Sequence, residues 1–152
     1  MGLLERHGEV RTRVTPDAKK PTLQAHVRAH VEPGSEVFTD ALKSYEGLNE
    51  DYAHQVIDHA EAYVKGKVHT NGLENFWSLF KRGVKGTYVS VEPFHLFRYL
   101  DEQEFRFNNR KTNDQGRFQK AGRGIVGKRL TYQQLIGKVS PCHSSDRAEA
   151  SA

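Results

Sequence analysis

The stretch that most constrains this chain is residues 68–86, which read VHTNGLENFWSLFKRGVKG. Within it, apolar side chains recur at the spacing of one helix face, at Leu73, Phe76, Trp77 and Phe80. A polar stripe runs beside them, at Asn71, Glu74, Ser78 and Lys81. Because the apolar stripe must be buried against another element, the pattern predicts an amphipathic helix over 71–82 on which neighbouring elements pack.

For two residues, Glu74 and Asp40, the sequence is consistent with either a helix-capping role or a catalytic role. The spacing Asn71-x-x-Glu74 matches a capping box, with Asn in place of the usual Ser or Thr, but Glu74 is also placed to bind a metal ion. Asp40 ends a predicted strand over 36–40, at the sheet edge where α/β folds place their sites. It can also cap a helix that begins directly after it. Spacing alone does not decide between these roles.

If both acids are functional, they predict a divalent-metal site. Hard carboxylate oxygens suit Mg²⁺ or Mn²⁺, which keep water and take phosphate oxygens from a substrate. Lys81 lies two helical turns beyond Glu74 on the same stripe, where its charge would face the phosphate. Asp40 and Glu74 are therefore the candidate metal ligands, with Lys81 and Asn71 beside them.

The composition describes one domain without a disulfide framework. A chain of 152 residues with 36% hydrophobic side chains can bury a single core. Cys142 is the only cysteine, which excludes disulfides within the chain and a cysteine-based zinc site. No apolar run has the length of a signal peptide or of a membrane span, so we expect a soluble, cytoplasmic protein without a membrane partner.

Charge is distributed unevenly along the chain. Residues 1–75 contain 9 Lys+Arg and 12 Asp+Glu, whereas residues 76–152 contain 14 and 7. The second half is therefore predicted to build a basic surface of the kind that contacts nucleic acid. A solvated basic face without any partner explains the same counts equally well.

The remaining pattern predicts alternating strands and helices. A hairpin is expected over 3–15 with its turn at His7 and Gly8, followed by these elements: a helix over 17–31, strands over 36–40 and 52–57, a helix over 41–48, an irregular segment over 58–67, extended chain over 88–91, a helix over 93–109, a loop over 112–127 and a short element over 130–136. We expect one domain over 1–138 and a disordered tail over 139–152.

His26 and His30 stand four residues apart in the first predicted helix, which is the spacing of a metal-binding pair. No third ligand is near them in the sequence. The favoured interpretation is that both are part-buried helix residues.

The run HTNGLENFWSLFKRGVKGTY, with VFTD before it and RYLDEQEFRFNNR after it, resembles bacterial insertion-sequence transposases of the DDE type. The group it is most similar to carries the ISXO2-like transposase domain. The resemblance extends from about Gly2 to Lys138, and the closing GKRLTYQQLIG is part of it.

The resemblance implies a ribonuclease-H-like α/β fold, a mixed sheet flanked by helices. It implies that Asp40 is the second catalytic acid, Glu74 the third, and Lys81 the lysine that follows. Such enzymes bind two divalent ions, nick the ends of the element and join them to target DNA. The expected partners are DNA and a second transposase subunit, near the bacterial nucleoid. The expected contacts to the DNA backbone come from Lys81, Arg82, Lys85, Arg110 and Lys111.

The sequence departs from the family pattern at its start. The family's first catalytic Asp lies on a central first strand, ahead of the hairpin near Leu3, and no residue before Met1 supplies it. We therefore expect a sheet without that strand and little or no strand transfer. A non-catalytic DNA-binding remnant that occupies DNA or an intact relative's oligomer is the alternative, followed by an inactive relic. A ribonuclease acting on RNA–DNA hybrids shares the fold but leaves the pattern over 69–82 unexplained.

Overall fold

The computed structural model describes residues 1–57 and 71–137. The chain divides into two compact units, Met1–Lys111 and the part that begins at Thr112. The division falls inside the segment 1–138 that the sequence predicts to be one domain. The predicted tail and the predicted irregular segment 58–67 lie outside the described residues.

Strands and helices alternate in the first unit, which confirms a mixed α/β class. Its elements are β1 Gly2–Leu4, β2 Val10–Thr12, α1 Lys20–His30, β3 Glu36–Thr39, β4 Ala53–Val56, α2 Asn71–Gly83 and α3 Leu96–Asn108. The second unit contains α4 Asp114–Ile125 and α5 Tyr132–Leu135. No helix in the described ranges has the length and apolar character needed to cross a membrane.

The strands form two small sheets among the described residues, where the sequence predicts one mixed sheet. β1 and β2 are antiparallel, with Leu3 opposite Arg11, and β3 and β4 are parallel, with Val37 opposite His54. The predicted hairpin turn is confirmed, although its left-handed residue is His7, with φ of 64°, and not Gly8. The ribonuclease-H-like strand arrangement stays a prediction.

Strand β1 separates two hydrophobic clusters, because successive side chains of a strand point to opposite faces. Leu4 packs with the first cluster and Leu3 with the second. The first cluster contains Val10, Phe76 and Phe107, with Leu4, Leu73 and Trp77 packed against them. The second contains Val27, Leu48 and Tyr52. The partly buried side chains that pack against it are Met1, Leu3, Val31, Val37 and Tyr45. The predicted apolar stripe of α2 is thus confirmed as a core face.

A glycine in β1 lets α2 approach the strand closely. A Cβ atom built on Gly2 would lie 2.9 Å from a ring carbon of Trp77, closer than real Cβ contacts come. On the helix side, a Cβ on Gly72 would lie 2.6 Å from Leu4. These two positions allow the helix to lie directly against the hairpin.

Side chains of α3 occupy the outer edge of β2, where a further strand would otherwise pair. The Val10 N–H donates to Oδ1 of Asn108 at 2.8 Å, and Nδ2 of Asn108 donates to the Val10 carbonyl at 2.9 Å. The Thr12 N–H donates to Glu104 at 2.7 Å. Because these side chains satisfy the backbone groups, the edge of β2 is closed against other strands.

Two predicted elements of the first unit have other conformations. The segment predicted as a helix over 41–48 forms two 3₁₀ turns, Lys43–Tyr45 and Leu48–Glu50, because Gly47 between them adopts a left-handed φ of 91°. The chain predicted to become extended at 88 instead continues α2 as a π-helical turn, Val84–Tyr88, which ends at Val89 with φ of 62°.

The prediction of a loop over 112–127 is wrong, because most of this segment forms the helix α4. The side chain of Asn113 accepts a hydrogen bond from the Gly116 N–H at 2.9 Å, so it caps the start of the helix. Three glycines within α4, Gly116, Gly122 and Gly124, lower helix propensity by about 1 kcal/mol each, which is why the sequence pattern favours a loop. The predicted short element over 130–136 is confirmed as α5, which begins with a capping box of Thr131 and Gln134.

Candidate active site

Asp40 directly follows β3 and is exposed. Its Oδ1 accepts a hydrogen bond from the Leu42 N–H at 3.3 Å, a local turn contact in place of the predicted helix cap. Its backbone carbonyl accepts a hydrogen bond from the Thr39 hydroxyl at 2.9 Å. The backbone at this strand end is therefore held while the carboxylate faces solvent.

The neighbouring strand supports this arrangement through His54. The Thr39 hydroxyl, which donates its one hydrogen to Asp40, accepts from Nε2 of His54 at 2.8 Å. Burial lowers the pKa of His54, so its ring is neutral at pH 7, with the hydrogen on Nε2. His54 thus positions the end of β3, a role that the sequence did not indicate because it depends on the parallel pairing of β3 with β4.

A shallow cleft of about 330 Å³ lies beside Asp40, lined in part by Leu42, Tyr45, His54 and Val56. Burial, and to a lesser extent the negative charge of Asp40, raises the pKa of the Tyr45 hydroxyl. Tyr45 therefore keeps its proton at neutral pH.

Helix α2 presents Glu74, Ser78 and Lys81 of its polar stripe to solvent. Asn71 is the first residue of the helix, Glu74 is exposed in its first turn, and Lys81 and Arg82 are exposed in its last turn. Glu74 and Lys81 lie on the same face because seven residues correspond to about two turns. Lys85 is exposed in the π-helical turn that follows.

The candidate metal ligands lie on different elements of the first unit. Asp40 follows β3, whose Val37 packs in the second cluster, whereas α2, with Glu74, packs in the first. Within 1–57 and 71–137, no three His, Cys, Asp or Glu side chains form a group that could hold a metal ion. The donor chemistry of these two carboxylates fits Mg²⁺, which commonly takes one or two carboxylates and completes its shell with water and substrate oxygens.

Two predicted DNA-contacting residues lie just after α3. The guanidinium of Arg110 stacks 4.3 Å from the centre of the Phe107 ring, and its Nη1 donates to the Phe107 carbonyl at 2.8 Å. These contacts fix the orientation of an otherwise exposed cation. Lys111, next in the chain, is exposed.

Glu102 has a structural contact that the sequence pattern did not reveal. Its side chain accepts hydrogen bonds from the Tyr88 hydroxyl at 2.6 Å and from Nε of Arg106 at 2.9 Å. The hydrogen bond from Tyr88 lowers the pKa of Glu102, and the hydrogen bond and positive charge of Arg106 lower it further. Since Tyr88 ends the π-helical turn, this contact ties the segment with Lys85 to α3.

The two histidines of α1 differ in burial. His26 is buried, with 7% of its surface exposed, whereas His30 is exposed, so the prediction that both are part-buried is wrong for His30. The His30 ring lies 4.4 Å from that of His26 and uses its Nδ1 to bind the His26 carbonyl. Neither ring nitrogen of His26 has a hydrogen-bond partner among the described residues. Burial, then the charges of His30, Arg13 and the N-terminus, lowers the pKa of His26 to about 4.

We expect His26 to destabilise the protein in acid. Its folded-state pKa of about 4 lies below the ordinary value of 6.5, so between these values the unfolded chain binds a proton that the folded chain does not. The stabilisation is complete above pH 6.5 and is lost as the pH falls towards 4, by up to about 3 kcal/mol. Urea unfolding at several pH values should show this loss in the wild type and in the exposed control His7→Asn, and a clearly smaller loss in His26→Leu, where the lowered pKa of His54 still contributes. An equal loss in His26→Leu would contradict the assignment.

Comparison with known proteins gives the class of this domain. The chain belongs to the family of the ISXO2-like transposase domain, whose model matches residues 1–108. It is 33% identical over 108 residues to an uncharacterized transposase-like protein of Haemophilus influenzae, an alignment that covers 70% of this chain and 87% of that protein. No solved structure matches the chain.

Proposed function

We propose that the protein is a DNA transposase that nicks the ends of an insertion sequence and joins them to target DNA. Membership of the transposase family supports this activity. The observation that supports a catalytic role for particular residues is the exposed polar stripe of α2, because Glu74 and Lys81 lie on the same face of the helix. The ribonuclease-H-like arrangement of the strands belongs to the same proposal.

In this proposal Asp40 and Glu74 hold Mg²⁺ or Mn²⁺, two ions in the complete family site. The bound ions would supply charge at the attacking and leaving oxygens of the phosphoryl transfer. The Leu42 N–H orients the Asp40 carboxylate, and the contacts of Thr39 and His54 hold the backbone beneath it. Lys81 would bind a phosphate oxygen, with Asn71 beside Glu74 at the start of the helix.

The proposed partners are the two element ends, the target DNA and a second transposase subunit. The exposed cations Arg82, Lys85 and Lys111, with Arg110, would contact the DNA backbone on the first unit. Such contacts carry no sequence information, so they orient DNA without selecting the element's ends.

A DNA-binding member without cleavage activity is the second candidate. It is favoured by the exposed cations Arg82, Lys85 and Lys111, whose contacts to a DNA backbone require no metal ion. This candidate keeps the cationic contacts but makes no use of Asp40 and Glu74.

A strand-transfer assay on the full chain separates the two candidates. Labelled duplexes carrying the ends of the parent element are incubated with Mg²⁺, with Mn²⁺ or with EDTA. Nicked and joined products that need Mg²⁺ or Mn²⁺ support the transposase. Salt-sensitive DNA binding without products at any metal concentration overturns it in favour of the second candidate, and products that persist in EDTA overturn the metal-dependent mechanism.

A further inference from the structure

The unit that begins at Thr112 carries the net charge of the whole chain. Residues 112–137 contain five Lys+Arg and one Asp+Glu, a net of +4, which equals the formal net charge of all 152 residues. Residues 1–111 contain 16 of each and are neutral overall. The charge asymmetry between the two halves of the sequence is therefore concentrated in the α4–α5 unit, 112–137.

The cations of α4 form one row along the helix. Arg117, Lys120 and Arg123 are three residues apart, which places successive members about 4.5 Å apart along the axis on one side. Lys120 and Arg123 are exposed, and Arg117 is half-buried, where it pairs with Asp114 and donates to the Thr112 carbonyl at 2.7 Å. The row thus has a fixed first member and two exposed ones.

The surface around the row is open. An atom placed as Cβ on Gly124 would have no heavy atom of another described side chain or element within 4 Å. Gly124 lies on the same side of α4 as the row, so a ligand can come close to the helix backbone there. Beyond the helix, Lys128 and Arg129 are both exposed and extend the cationic surface.

Exposed apolar side chains next to this surface raise the question of what it binds. Phe118 is 78% exposed and Ile125 71%, on a different side of α4 from the row of cations. Such a helix can bind nucleic acid, an anionic membrane or a second protein chain. Five cations against one acid complement a polyanion, and DNA is the polyanion that the proposed function brings to the protein.

We propose that the α4–α5 unit is a second DNA-binding surface, which grips the phosphate backbone of a duplex through Arg123, Lys128, Arg129 and Lys120. The proposal rests on the proposed function for the identity of the polyanion. The surface lies outside residues 1–108, the part of the chain that the family model matches, although the sequence resemblance is predicted to extend to Lys138. It binds without sequence preference, because phosphates are alike along the duplex.

The test measures the salt dependence of DNA binding by the full chain. Fluorescence anisotropy with a 30-base-pair duplex of arbitrary sequence is recorded from 50 to 300 mM KCl for the wild type and for the triple variant Arg123→Gln, Lys128→Gln, Arg129→Gln. The slope of log K against log salt is expected to fall by about 0.9 for each phosphate contact removed, with affinity weaker by about tenfold or more. Glutamine preserves helix propensity, and circular dichroism checks that α4 is retained.

A matched control removes three exposed cations from the first unit, Arg11→Gln, Lys19→Gln and Lys43→Gln, and changes the net charge equally. We expect the slope of this control to stay within experimental error of the wild type. Equal losses in both triple variants would overturn the proposal, since net charge alone would then explain binding. An unchanged slope in the α4–α5 variant would overturn it directly.

Two further results would assign the surface to another partner and overturn the proposal. One is binding to phosphatidylserine vesicles that the α4–α5 substitutions weaken while DNA affinity is unchanged. The other is a dimer, seen by light scattering, that dissociates on Phe118→Ser without any change in DNA affinity. Failure of strand transfer with a lowered slope in the α4–α5 variant would defeat the proposed enzyme but support this surface.

Discussion

In the proposed transposase, as opposed to the inactive chain that the family pattern predicts, Asp40→Asn and Glu74→Gln are each expected to lower Mg²⁺-dependent strand transfer by about 10³-fold or more. Each change removes one negative charge and one metal-binding oxygen, and metal stabilisation of phosphoryl transfer is worth several kcal/mol, about 1.4 kcal/mol per tenfold in rate. Both side chains are exposed, so the free energy of unfolding should change by no more than about 0.5 kcal/mol. Product formation by gel electrophoresis and unfolding in urea measure the two quantities.

The matched control is Glu36→Gln, which makes the same change at the opposite end of β3 from Asp40. Glu36 is exposed and begins the strand that Asp40 follows. Its substitution should leave both rate and stability unchanged. Calorimetric titration with Mn²⁺ gives a second readout, because both active-site variants should bind the ion more weakly than the control does. Strand transfer that persists in Asp40→Asn or Glu74→Gln would remove that residue from the proposed site.

The sequence predicted α2 well because a single local pattern determines it. The apolar stripe of α2 has only one helical face that can be buried, and the buried Phe76 lies on it. The outward position of Glu74 and Lys81 follows from the same periodicity. The α1 helix and the hairpin were likewise predicted from spacing and turn residues within a few positions of each other.

The surroundings of Asp40 could not be predicted because they depend on tertiary pairing. His54 reaches Thr39 only when β3 and β4 pair in parallel, and sequence spacing does not fix that register. The closure of β2 by Asn108 joins residues 98 positions apart. Such contacts arise from packing of distant elements, for which no local pattern exists.

Helix α4 was missed for a different reason. Its glycines have low helix propensity and so favour a loop. The cap at Asn113 and the hydrogen bond from Arg117 to the Thr112 carbonyl stabilise the start of the helix instead. The cationic row depends on the helix, because Arg117, Lys120 and Arg123 lie on one side only when the segment between them is helical. The excess of positive charge was evident from the sequence, but its position on one helix was not.

Phe76→Ala is expected to destabilise the first unit by about 3–5 kcal/mol, the usual cost of deleting a buried phenyl ring. Phe76 is fully buried, and its ring makes edge contacts with Trp77 at 5.1 Å and Phe107 at 5.4 Å between ring centres. Domains of this size are stable by about 5–15 kcal/mol, so the loss is a large part of the total.

The control for this change is Phe118→Ala, a phenylalanine on α4 that is 78% exposed, for which the loss should be within about 0.5 kcal/mol. Chemical denaturation followed by Trp77 fluorescence reports the first unit, and far-ultraviolet circular dichroism checks both variants. If Phe76→Ala costs no more than Phe118→Ala, then α2 does not pack on the hairpin as described. The conclusion that Glu74 and Lys81 face solvent would then fail as well, because the helix orientation that buries Phe76 is the one that exposes those two side chains.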